Sequence, residues 1–200
     1  DATTRLLKPL NPYGESKHIF DQWALEQSLA PPAWSGLKFF NVYGPNEYHK
    51  GRMASVILHS FNQIAKDRVA ELFKSYRMGI PDGEQKRDFI YVKDITAVVY
   101  WLLQGMTIGA WDTRHNGIYN LGTGKARTFY DLAVATFRAL NKEPKIAFVD
   151  MPEDIRTTYQ YSTEAPMEKL RAAGYGNPFY TLEEGAKDYI RHYLTTSAIY

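Results

Sequence analysis

Apolar and polar positions along the chain change period repeatedly, and each change predicts an element. From Gly14 to Leu29 the residues Ile19, Phe20, Trp23, Leu25 and Leu29 supply the apolar positions of a helix that Pro31 and Pro32 stop. Leu37 to Tyr43 is a nearly continuous apolar and aromatic run closed by Gly44-Pro45, which predicts a buried strand. Met53 to Ala65 returns to a helical period through Met53, Val56, Ile57, Phe61 and Ile64. A short strand is expected at Asp88–Val92, an apolar helix at Ile95–Leu103 and another strand at Gly117–Leu121. Thr128 opens a helix whose apolar set is Phe129, Leu132, Ala133, Thr136 and Phe137. A last helix starts at Thr181, where Glu184 three residues on completes a capping box. Strands alternating with helices predict an α/β fold with a largely parallel sheet. Segments 74–87 and 105–116 are long for connections and read as functional loops or insertions.

Composition narrows the function classes. A chain of 200 residues holds one domain, or two small ones sharing a core. At this length roughly 70% of the unfolded surface can be buried. The 44% hydrophobic and 14% aromatic content excludes a disordered tail. A formal charge of +2 without a dense Lys/Arg block argues against a nucleic-acid polymer as ligand, but leaves phosphorylated small molecules open. No apolar run approaches the roughly 18 residues of a membrane span. Zero cysteines exclude a disulfide framework, a thiolate zinc site and a cysteine nucleophile, and fit a cytoplasmic setting. Asp1 to Pro12 carries no initiating methionine and a chemistry-bearing motif follows at once, so a fragment lacking an upstream part is expected.

That motif is Tyr13-Gly14-Glu15-Ser16-Lys17. On a helix, positions four apart share a face, so the phenol and the ammonium stand side by side. A phenol with pKa ~10 is a poor base near neutrality, and lowering it to ~7 takes roughly 4 kcal/mol, which a nearby cation in a dry pocket can supply. Among 15 tyrosines a chance pair at this spacing is expected about as often as not, and the plain alternative is a solvated helix start. Phe40-Asn41-Val42-Tyr43-Gly44-Pro45 ends a predicted strand in a turn, the place where open α/β sheets bind ligands. His49-Lys50-Gly51-Arg52 sets three basic residues ahead of a helix, suited to a phosphate or to a plain basic surface loop. Arg87 precedes the strand of Arg87-Asp88-Phe89-Ile90-Tyr91-Val92, where the alternative is a structural ion pair with Asp88 or Asp94.

Taken in order, Tyr-x-x-x-Lys, Asn-Val-Tyr-Gly-Pro, Arg-Asp-Phe-Ile-Tyr-Val-x-Asp and Asn120-Leu121-Gly122-Thr123-Gly124 make the chain resemble the extended short-chain dehydrogenase/reductase family, with its nucleotide-sugar epimerases and dehydratases. The likeness covers nearly the whole chain. Through Phe40–Val56 and Leu170–Tyr175 it is more narrowly similar to the branch that inverts carbon 6 of an ADP-linked heptose on the way to the lipopolysaccharide core. The resemblance implies a bound NADP, or NAD, that takes a hydride from a sugar carbon and returns it to the opposite face. It implies Tyr13 and Lys50 as the acid/base pair and Lys17 as the catalytic lysine that holds the nicotinamide ribose. Tyr13, Lys17, Val42 and Lys50 would face the cofactor. Asn41, Arg52, His59, Phe73, Arg87 and Tyr159 would face the substrate, with Arg87 on a phosphate and Phe73 on the adenine. Arg52 stands where the match suggests a small hydroxyl residue, and Tyr76–Gln85 is longer than the match suggests.

The fold so implied is a Rossmann-type parallel sheet, incomplete with its N-terminal half missing, joined to a smaller α/β substrate-binding domain. Residues 1–40 and 88–123 would form the nucleotide side, and 41–87 with 124–200 mainly the substrate side. No Gly-x-x-Gly-x-x-Gly precedes Tyr13, and Gly122-Thr123-Gly124 alone is a weak substitute. The dinucleotide cradle is therefore expected upstream, and these 200 residues alone are expected to be inactive. The partners implied are a nucleotide-diphosphate sugar and a second copy of the chain in a homo-oligomer, with no nucleic acid and no membrane. Two other readings stand beside this one: a different nucleotide-sugar 4-epimerase or 4,6-dehydratase, and a non-catalytic or truncated member of the fold.

Overall fold

The computed structural model describes residues 6–198, so the part of the nucleotide-side assignment on residues 1–5 lies outside the described residues. Helix α1 (Pro12–Glu26) leads into strands β1 (Ser35–Phe39) and β2 (Asn41–Tyr43), then α2 (Val56–Asp67) and β3 (Ala70–Phe73). Strands β4 (Lys86–Arg87) and β5 (Phe89–Tyr91) precede α3 (Val92–Thr107), β6 (Gly117–Leu121), β7 (Arg127–Thr128) and α4 (Phe129–Ala139). Strand β8 (Ile146–Val149) and helices α5 (Glu153–Arg156), α6 (Glu168–Ala172) and α7 (Leu182–Tyr189) follow. The strands pair β1–β6, β2–β5 and β3–β8 in parallel and β4–β7 antiparallel, giving the α/β fold the alternation predicts.

The run predicted as one strand, Leu37–Tyr43, is two. Phe39 pairs with Leu121 of β6, Phe40 N donates to the Leu121 carbonyl, and Asn41 N already donates to the carbonyl of Asp88 beside β5. The chain changes partner at Phe40, which hydrophobicity cannot signal. Both faces of the β2–β5 pair are covered, hence the unbroken apolar run. Tyr43, Phe89 and Tyr91 point into a core with Ile57, Leu58, Leu132, Ala186 and Tyr189. Ile90, one residue out of phase, enters a second core with Ile95, Val98, Leu121 and Leu170. A third, smaller core of Ile64, Ala70, Leu72, Ala133 and Phe137 lies by β3.

Several boundaries differ from expectation for local reasons. Helix α1 begins earlier, because the Asn11 side chain accepts from Gly14 N at 2.8 Å and Pro12 suits a first turn, and it ends at Glu26, leaving Leu29 exposed in the following loop. The predicted helix from Met53 starts instead at Val56, where Ser55 caps it, and Met53 is exposed at the end of a 3-10 turn over Tyr48–Met53. The capping boxes at Thr128 and Thr181 form, the latter with Glu184 as predicted.

The long segment after β3 is tied down. Ser75 N donates to Asp82 Oδ1 at 2.7 Å, the Tyr76 hydroxyl to Asp150 at 2.9 Å, and Tyr76 N to the Tyr161 hydroxyl at 3.1 Å. No helix of the described residues is long and apolar enough to cross a membrane.

Candidate active site

Tyr13 and Lys17 occupy successive turns at the start of α1, and the Lys17 ammonium lies 5.3 Å from the centroid of the Tyr13 ring. The spacing thus makes the pair the sequence predicts. Tyr13 is 75% exposed and Lys17 is exposed, so α1 presents this pair to solvent rather than to a packed neighbour. Helix α1 is anchored on its other side, where the half-buried Lys38 of β1 pairs with the buried Asp21.

Asn41 and Val42 open strand β2, Asn41 exposed and Val42 half-buried against the second core. Directly after β2 the chain turns at Gly44, whose φ of 145° and contact with Val92 demand glycine: a β-carbon there would stand 2.4 Å from Val92 Cγ1. The turn delivers the exposed segment Tyr48–Met53, which carries Lys50 and Arg52. Neither side chain has an ion pair or hydrogen bond among the described residues, and neither touches Tyr13 there. His59 sits half-buried in the first turn of α2, one turn beyond Ser55.

A second group of predicted residues does come together. Arg87 of β4 is only 8% exposed, and its guanidinium lies 5.1 Å from the Tyr159 ring and 5.6 Å from that of Phe129. Its Nη1 donates to the Lys86 carbonyl at 2.8 Å, and no carboxylate pairs with it among the described residues. Burial pulls the guanidinium below its ordinary pKa, and burial likewise pushes the Tyr159 phenol up against the opposing pull of Arg87. A buried cation without a counter-ion is costly, and a ligand phosphate is the anion that its planar fork fits. Phe73 ends β3 nearby in the chain path: Gln85, two residues before Arg87, donates from Nε2 to the Phe73 and Lys74 carbonyls, each at 3.3 Å. Tyr159 packs edge-on to Tyr161 at 5.4 Å, and Arg77 lies 5.7 Å from the Tyr161 ring, so the long segment reaches the same group.

The structural ion pairs considered for Arg87 do not form. Asp94 accepts from Tyr180 N, and burial raises its pKa to about 6. Asp88, fully buried, accepts from Thr123 N and Thr123 Oγ1 at 2.7 Å each, from Gly124 N at 2.9 Å and from Ala165 N at 3.1 Å. The Thr123 and Gly124 N–H groups of this turn are thus spent on a carboxylate of the same chain. The adjoining cavity of about 400 Å³, lined by Thr123, Gly124, Glu164 and Glu168 among others, carries two glutamates that disfavour a phosphate. Sequence reasoning weighed Asp88 only as an ion-pair partner of Arg87, and passed over Glu47, Tyr161 and Arg77. Only the length of the 76–85 segment could have drawn attention to one of them, Arg77.

Residues 1–122 match the family described as NAD dependent epimerase/dehydratase family. Among curated relatives the chain is 50% identical over 200 residues to the ADP-L-glycero-D-manno-heptose-6-epimerase of Fusobacterium nucleatum, covering 97% of this chain and 58% of the relative. It therefore spans less than two thirds of that relative's length. Among solved structures it is similar to the ADP-L-glycero-D-manno-heptose-6-epimerase of Helicobacter pylori, with TM-score 0.73 and 28% identity over 92% of this chain and 52% of that one. It is also similar to the Thermus thermophilus UDP-glucose 4-epimerase solved in complex with NAD, with TM-score 0.67 and 25% identity over 92% of this chain and 54% of that one.

Proposed function

The chain belongs to the NAD dependent epimerase/dehydratase family, and from that premise we propose that its gene product converts ADP-D-glycero-D-manno-heptose to ADP-L-glycero-D-manno-heptose by inversion at carbon 6. The observation that carries the substrate class is Arg87, a buried guanidinium framed by Tyr159 and Phe129 with no carboxylate partner among the described residues. A diphosphate completes it. The choice of sugar follows the name shared by the relatives from Fusobacterium nucleatum and Helicobacter pylori.

A nicotinamide dinucleotide, NADP in this reading, supplies the hydride acceptor and donor when bound. The residues present fit one end of it: Lys17, with no carboxylate partner among the described residues, stands beside Tyr13 on an open helix face, and the two would hold a nicotinamide ribose. Val42 would line the nicotinamide side. The Gly122–Gly124 turn does not fit the pyrophosphate, since Asp88 already takes its N–H groups.

Tyr13 takes the proton from the carbon-6 hydroxyl as that carbon is oxidised, and the Lys17 charge favours the phenolate that does so. Inversion requires the carbonyl to be reduced on its other face, with a proton delivered from a second direction. Lys50, on an exposed turn beyond β2, is that second acid/base. Asn41, Arg52 and His59 flank the sugar, Phe73 packs on the adenine, and Tyr159 closes over the substrate. In this reading the described part of 1–40 with 88–123 belongs to the nucleotide side, and 41–87 with the described part of 124–200 mainly to the substrate side, in a homo-oligomer acting in the cytoplasm.

Product analysis of the whole gene product against ADP-heptose and against UDP- and GDP-hexoses tests the assignment. Turnover confined to ADP-heptose supports it. Turnover of a hexose nucleotide alone replaces it with the 4-epimerase or 4,6-dehydratase reading that Arg52 favours. Arg87→Ala is expected to weaken ADP binding about 10- to 100-fold by calorimetric titration, because a charge-assisted pair worth roughly 1.5–3 kcal/mol is lost. Arg87→Lys should recover only part, having no fork.

A further inference from the structure

Glu47 is a carboxylate only 3% exposed, in a connecting segment that is otherwise largely open to water. Both of its oxygens accept from one residue eight positions on. Ser55 N donates to Oε2 and Ser55 Oγ to Oε1, each at 2.6 Å. Its backbone closes the near end of the same segment, where the Glu47 carbonyl accepts from Lys50 N at 3.0 Å. Ser55 is itself fixed, because its Oγ accepts from Leu58 N at 3.3 Å at the start of α2, whose Ile57 and Leu58 lie in the first core. Tyr189, fully buried, has its phenol pushed well above its ordinary pKa by burial and by the charge of Glu47.

Nothing comparable supports the crown of the segment. Tyr48 to Met53 are all exposed, and Gly51, at φ 52°, has no atom within 4 Å of where a β-carbon would stand. One further tether, from the Tyr48 hydroxyl to the Ala198 carbonyl at 3.1 Å, lies at its near end. Lys50 is therefore held from the two feet of its loop and not by packing around it. The line of support runs from the core through α2 and Ser55 to Glu47, and from Glu47 to Lys50.

We propose that Glu47 is the positioning residue of Lys50, a clamp that holds the second acid/base in reach of the reacting carbon; this rests on Lys50 having that role. Without the clamp the loop samples more conformations, and the fraction with Lys50 in place falls.

The test is a double-mutant cycle on the whole gene product, following carbon-6 inversion of ADP-D-glycero-D-manno-heptose. Glu47→Ala is expected to lower kcat about tenfold with KM within about twofold. Glu47→Gln keeps an acceptor for Ser55 N and should restore most of the rate. In a Lys50→Ala background, Glu47→Ala should cost less than about twofold more, because its effect passes through the amine already removed. Ser55→Ala, which removes the hydroxyl contact to Glu47 together with the cap on Leu58 N, should show the same dependence on Lys50. Equal losses from these changes in both backgrounds would overturn the clamp while leaving Lys50 its role. An unimpaired Lys50→Ala enzyme would remove that role and the clamp with it.

Discussion

Replacing Tyr13 by phenylalanine should lower the rate of carbon-6 inversion roughly 10²- to 10⁴-fold, the usual worth of a general acid/base, with little change in ADP affinity. The substitution removes one oxygen from an exposed position at the second residue of α1, so it disturbs no packing. The cap from Asn11 and the anchoring pair of Asp21 and Lys38 are untouched. Thermal unfolding should therefore match the parent protein. Steady-state kinetics alongside calorimetric ADP binding checks the claim. A variant that inverts the sugar at the parent rate would remove Tyr13 from the chemistry. Equal losses of rate and ADP affinity would make it a binding residue instead.

Asp88→Ala should be among the most destabilising single changes. It strips the acceptor from three backbone N–H groups and the Thr123 hydroxyl. Each buried donor left unpaired costs about 1–3 kcal/mol, so a loss of roughly 3 kcal/mol or more is expected. For a chain of this size that is a fall of about 6–12 °C in Tm. The fit around the carboxylate adds to this. A β-carbon on Gly122 would lie 2.6 Å from Asp88 Oδ2 and 2.6 Å from the Ala165 β-carbon, so β6, the turn and the segment at Ala165 all close on one group. Denaturant unfolding of Asp88→Ala and Asp88→Asn measures it, with Asn losing less because it keeps one acceptor. Tm within about 1 °C of the parent would mean the turn finds other partners.

Asp88 also illustrates where sequence reasoning stops. Its partners lie 35 and 77 residues away, and no local spacing announces a carboxylate that will collect N–H groups from two distant segments. Features set by neighbours a few residues apart were legible: the helix start at Thr128, the capping box at Thr181, the shared face of Tyr13 and Lys17, and strand Gly117–Leu121. Features set by a change of partner were not, as with the break at Phe40 between β1 and β2. Strands β3 and β8 were missed because four residues are too few to register a period. For the site, the family resemblance pointed to Arg87 and Tyr159, but the aromatic frame around Arg87 appears only once β4, α4 and segment 159–161 meet. Glu47 lacked any signal, since its partner Ser55 is eight residues on across an irregular loop.

In the proposed inversion one hydrogen leaves carbon 6 and returns to its other face. Incubating the whole gene product with ADP-D-glycero-D-manno-heptose carrying deuterium at carbon 6, in ordinary water, and following the product by NMR tests it most directly. Inverted product that keeps its deuterium is the predicted result. Inversion with loss of deuterium to solvent, or no inversion by protein verified to hold its dinucleotide, would contradict it.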